Sequence, residues 1–173
     1  DTDEGYSRLQ AAVREVLTAA EKLPRGTEIN AIAFGNEAVA DITLLQLATH
    51  TSGLPRLPVN LAPTDTLDPY KNYDSNKLLV GVGSSRLRQP LGNHYAYSNF
   101  GVGLLGHLLG KVHGGGYGAA MAEFVLGPLG LERTGLDTAE HSAAGFRNGQ
   151  VVPDWTITGL AGAGALRCAS AVL

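Results

Sequence analysis

Residues 92–106 read Gly92-Asn93-His94-Tyr95-Ala96-Tyr97-Ser98-Asn99-Phe100-Gly101-Val102-Gly103-Leu104-Leu105-Gly106. The first half is polar and aromatic; the second is apolar and small. Ser98 and Asn99 stand at the junction, where a short polar side chain can accept a hydrogen bond from the free N–H groups of a first helical turn. A helix is therefore predicted from Asn99 to Val112, ended by Gly114-Gly115-Gly116. Gly103, Gly106 and Gly110 recur at three and four, which gives that helix one face able to take close backbone contact. The run Gly101 to Gly106 also fits G-x-G-x-x-G. A dinucleotide site needs a buried strand before that motif, and here Tyr-Ser-Asn precedes it, so the glycines are read as packing residues.

A second informative block lies upstream: Ile42-Thr43-Leu44-Leu45-Gln46-Leu47-Ala48-Thr49-His50-Thr51-Ser52-Gly53-Leu54-Pro55. Its first half predicts a helix from Ile42 to Ala48, capped by Asp41 or Thr43, and Gly53 with Pro55 breaks it. Around these blocks, residues 5–23 have amphipathic helical spacing, and residues 29–34 read as a short strand. Residues 55–73 hold four prolines and little periodicity, predicting a long ordered loop. Asp74 or Ser75 should cap a helix to about Val80, with a loop from Gly81 to Leu91. Tyr117 to Leu126 is another predicted helix, closed by Gly127-Pro128-Leu129-Gly130. From Arg133 the pattern is irregular, with a strand near Val151-Val152 and a tight turn over 159–166. The sum is a mostly α fold with minor β. It is read as a single domain over 1–173, with an N-terminal helix and connector over 1–40 and a helical region over 41–173.

Both blocks, in this order, resemble the class C-like branch of the serine β-lactamases and penicillin-binding proteins, with their D-alanyl peptidase and esterase relatives. The Ile42–Pro55 block is similar to a helix-and-turn signature of that family, and Tyr97-Ser98-Asn99 is similar to its second active-site motif. Phe124 to Leu131, Thr134-Gly135-Leu136 and Ala161 to Arg167 extend the likeness, which covers about residues 40–170. The resemblance implies the helical subdomain of the β-lactamase/transpeptidase-like fold. It also implies hydrolysis of β-lactams, D-alanyl peptides or small esters, and an extracytoplasmic, in bacteria periplasmic, place of work.

The same resemblance assigns catalytic roles to Tyr97 and Asn99, and it exposes a gap. The family's nucleophile is the Ser of a Ser-x-x-Lys motif. No serine here has Lys three residues later; Ser7, at roughly the right place, is followed by Gln10. The third motif, on a C-terminal strand, is not found before Leu173. A phenol ionises near pH 10, so a tyrosine acts as a base only where cations favour its anion. The chain is therefore expected to be a catalytically incomplete family member, with a non-catalytic binding or interaction module as the alternative. Ser98 is expected to expose a hydroxyl with no base beside it, and His50 to bond loop backbone.

Composition narrows the remaining classes. Apolar residues are 44% and charged residues 17%, as in a globular chain. Glycine is abundant, 23 of 173 residues against an average near 7%, and predicts many turns and close contacts. A net charge of −3 without a basic stripe argues against nucleic acid. No apolar run reaches the length of a membrane span, and no secretion signal is read. His94, His107, His113 and His141 lack metal spacing, so no metal or other cofactor is expected. Cys168 is expected to be a small buried residue. Apolar surface on a helical part is expected to be covered by a second copy or by a sheet-bearing half, and the ligand is expected to be a small β-lactam, peptide or ester.

Overall fold

In the computed structural model, residues 41–136 and 143–168 are described. The predicted helix over 5–23, the strand over 29–34, Ser7 and His141 lie outside them. The chain divides into two compact units. Of the described residues, the larger takes 41–108 and 143–165, and the smaller takes 109–136 and 166–168.

The larger unit holds α1 (Leu44–Ala48), α2 (Ser75–Ser84) and the start of α3 (Asn99–His113). Helix α1 begins in a capping box: Thr43 Oγ1 accepts from Gln46 N at 3.2 Å, and Thr43 N donates to Gln46 Oε1 at 2.9 Å. That reciprocal pair satisfies two N–H groups a short helix would otherwise leave free. Asp74 caps α2 by accepting from Lys77 N at 2.9 Å. The prolines of 55–73 give irregular chain, as the composition predicts.

Ile42, Leu47, Leu54, Tyr73, Leu78, Val82, Phe100, Leu104 and Leu160 form one buried cluster in this unit. Each large side chain taken fully out of water stabilises by roughly 1.5–3 kcal/mol, so the cluster is what binds the loops to α1, α2 and α3.

Helix α2 runs four residues past the predicted end at Val80, through Gly81 and Gly83. Gly81 is not a breaker. A Cβ there would stand 2.5 Å from Asn60 Oδ1 and 2.8 Å from the Tyr73 hydroxyl, so glycine serves close packing. Gly103 does the same in α3, where a Cβ would reach Leu160 Cδ2 at 2.5 Å. The small-residue face read from the sequence is therefore in use.

Strands β2 (Gly145–Arg147) and β3 (Gln150–Val152) form an antiparallel hairpin with Phe146 opposite Val151. Asn148 and Gly149 make its loop with φ of 53° and 78°, the pair of positive angles a two-residue turn requires. A 3-10 turn over Ala161–Ala163 follows.

In the smaller unit, α3 ends at Gly114, with φ of 86°. The predicted Tyr117–Leu126 helix is α4 (Gly116–Met121) continued by a π-helical stretch, Ala122–Leu126. His113 Nε2 lies 2.9 Å from Glu123 Oε2, and its ring meets Phe124 edge-on. Burial pushes the Tyr117 phenol above its ordinary pKa. Thr134–Gly135 (β1) pairs antiparallel with Arg167–Cys168 (β4). Cys168 is exposed, not buried as expected; it ends a two-residue strand of a two-stranded ladder, which among the described residues gives it little to pack against. The fold is thus largely helical with a few very short strands, as the sequence suggests in outline.

Candidate active site

The turn after α1 and the junction before α3 are built onto each other. His50 carries a φ of 58°, a left-handed conformation that costs a non-glycine residue about 1 kcal/mol. Its carbonyl accepts from Ala96 N at 2.8 Å, and Thr51 O accepts from Gly92 N at 2.9 Å. Gly53 O accepts from Arg88 N at 2.8 Å, and Arg56 O accepts from Phe100 N at 3.2 Å. Gly53 has φ of 69°, and a Cβ there would lie 2.4 Å from Gln89 O, so only glycine fits.

Ser98 is the fixed point of the junction. It is 1% exposed. Its hydroxyl donates to Pro55 O at 2.7 Å and accepts from Gly101 N at 2.8 Å. This corrects the expectation of an exposed hydroxyl. Ser98 is the N-cap of α3, and its oxygen is fully engaged. His50 Nδ1 accepts from Ser98 N at 3.2 Å, which puts the ring proton of that residue on Nε2. The backbone-bonding role read for His50 is the observed one.

The residues on either side of Ser98 face outward. Tyr97 is 46% exposed. Its ring lies 4.7 Å from that of His50, and the Arg56 guanidinium carbon stands 5.3 Å from its centroid. Asn99 opens α3 and lines a cavity of about 150 Å³ together with Tyr70, Trp155, Ile157, Leu160, Ala163 and Gly164. Tyr70 and Trp155 meet edge to face at 5.4 Å. Tyr97 is not on that cavity's wall. The structure therefore joins both sequence-predicted residues to one braced junction and gives each its own surroundings.

Arg56, Tyr70 and Trp155 escaped the sequence reading. Arg56 directly follows the Gly53-Leu54-Pro55 turn, so its place in the turn was the available signal. Tyr70 and Trp155 are brought together only by the fold. Thr156 N donates to Asp68 Oδ1 at 2.9 Å, and Gly159 N donates to Tyr73 O at 2.9 Å, which seats 155–160 against the 68–73 loop. Among the described residues, no group of three or more His, Cys, Asp or Glu could hold a metal ion. No described helix is long and apolar enough to cross a membrane.

A half-exposed phenol and a cavity-lining amide flank the buried Ser98 at this N-capped junction. Residues 2–167 match the beta-lactamase family model. The chain belongs to the beta-lactamase family. A curated beta-lactamase of Providencia stuartii is 30% identical over 132 residues, covering 75% of this chain and 29% of that protein. A class C beta-lactamase structure from Rhodobacter sphaeroides is similar with a TM-score of 0.66 at 22% identity, over 94% of this chain and 44% of that one. A beta-lactamase structure from a Sulfitobacter species gives 0.68 at 20% identity, over 95% and 45%. These structures share the fold, and the chain spans less than half of their length.

Proposed function

We propose that the chain forms the Tyr-Ser-Asn wall of a hydrolase cleft that acts on β-lactams, D-alanyl peptides or small esters. In this reading Tyr97 passes the proton and Asn99 orients the substrate amide through its side-chain donors and acceptor. The observation that carries the reading is the split within one tripeptide. Ser98 spends its hydroxyl on Pro55 and Gly101, while Tyr97 is open and Asn99 borders a cavity.

The attacking hydroxyl then comes from outside the tripeptide. No serine in the chain is followed by lysine at the third position. We therefore read the chain as catalytically incomplete alone, completed by the sheet-bearing part of the family fold on the same or a second polypeptide. An extracytoplasmic place of work goes with that reading.

The purified 173-residue chain should hydrolyse neither nitrocefin nor p-nitrophenyl acetate. A covalent acyl adduct on any of its serines would overturn the incompleteness. Combined with the sheet-bearing part, the assembly should turn over, and Tyr97→Phe should cost about 100-fold or more in kcat. An assembly that binds these substrates without turnover would instead make the chain a non-catalytic binding module.

A further inference from the structure

Arg56 is held at the candidate site by its backbone, and its side chain is exposed. Its carbonyl accepts from Phe100 N in the first turn of α3, which fixes the chain beside Tyr97. Its side chain is exposed, with the guanidinium carbon 5.3 Å from the Tyr97 ring centroid. Among the described residues, no carboxylate pairs with Arg56 and no acceptor takes its N–H groups. The first turn of α3 contains no acidic residue either.

At 5.3 Å from the Tyr97 ring centroid the Arg56 guanidinium is within reach of cation–π attraction, and its N–H donors lie in the plane of the group. Their fork matches the two oxygens of a carboxylate. Placed 5.3 Å from the Tyr97 ring, the cation also lies well within the screening distance of about 8 Å for any anion brought to that ring.

We propose that Arg56 determines specificity at the Tyr97 site by receiving a carboxylate carried on the acyl side of the substrate. The inference rests on Tyr97 being a wall of the hydrolase cleft and narrows its substrates to anionic acyl derivatives. If Arg56 only supported the Tyr97 ring, its loss would weaken ligands with and without that acyl-side carboxylate alike.

Two penicillins separate these cases. Benzylpenicillin and carbenicillin share a nucleus, and carbenicillin adds a carboxylate on the acyl side chain. Titrated into the 173-residue chain, carbenicillin should bind about tenfold tighter, the worth of one charge-assisted hydrogen-bonded pair. The ratio should fall to about one in Arg56→Gln, persist in part in Arg56→Lys, and shrink with added salt. Equal binding of both penicillins by the unaltered chain would overturn the carboxylate role and leave the cleft reading intact. A parallel loss of both ligands in Arg56→Gln would also overturn it, in favour of ring support. If neither penicillin binds a chain that circular dichroism shows to be folded, the cleft reading and the proposal fall together.

Discussion

The imidazole of His50 accepts the backbone N–H of Ser98 at 3.2 Å, across 48 positions of sequence. With the amide of Ala96 on the His50 carbonyl, this ties the turn after α1 to the start of α3 at both ends of one residue. The ring that makes the bond also lies against Tyr97 and Tyr95. A single side chain therefore sets the backbone of the junction and the place of the phenol beside it.

Replacing His50 by alanine should lower stability by about 2 kcal/mol, since the part-buried Ser98 amide loses its acceptor. Asparagine tolerates the left-handed backbone and offers an acceptor, so His50→Asn should lose less. Urea denaturation of both variants checks the order. Equal losses would mean that the ring contacts, and not the hydrogen bond, carry the effect.

Gly53 and Gly149 both have positive φ, of 69° and 78°, but a Cβ at Gly53 meets Gln89 O at 2.4 Å while one at Gly149 meets nothing within 4 Å. Gly149→Ala should cost only the conformational term, about 1 kcal/mol. Gly53→Ala adds a backbone clash and should cost about 3 kcal/mol or more. Thermal unfolding of the pair separates strain from collision.

Tyr73 is 2% exposed, and its hydroxyl donates to Asn60 Oδ1 at 2.9 Å. Burial pushes its pKa up to about 12; the Asn60 hydrogen bond opposes the rise and the Asp74 charge adds to it. The unfolded chain therefore releases this proton near pH 10 while the folded chain keeps it. The stabilising contribution is complete below about pH 10 and declines as pH rises towards about 12. Urea midpoints across that range should fall more steeply for the unaltered chain than for Tyr73→Phe. Parallel slopes would assign the alkaline loss to other groups.

Much of this architecture could be read from local pattern. The capping pairs of α1 and α2 act over a few residues, and the glycines of α3 repeat at helical spacing, so their signals are written locally even though Gly103 packs on the distant Leu160. The hairpin carries the strongest such signal, Asn148-Gly149, yet only the run at Val151-Val152 was read as strand. Gly81 was mistaken for a helix stop because the neighbours that demand a glycine there, Asn60 and Tyr73, lie elsewhere in the chain. The burial of the Ser98 hydroxyl was missed for a similar reason. Its hydroxyl is consumed by Pro55, 43 positions away, a partner that only folding supplies. Tyr97 and Asn99 were named as candidates from a motif, whereas Trp155 reaches the Asn99 cavity through contacts from the 68–73 loop that no motif records.

The inward hydroxyl at position 98 has an evolutionary corollary. Because it secures the entry to α3 together with the His50 imidazole and the Arg56 carbonyl, that work does not fall on the side chains of its two outward neighbours. Descendants of such a chain can trade the phenol or the amide for other chemistry and keep the same backbone path. Losing the small anchor between them would erase both at once.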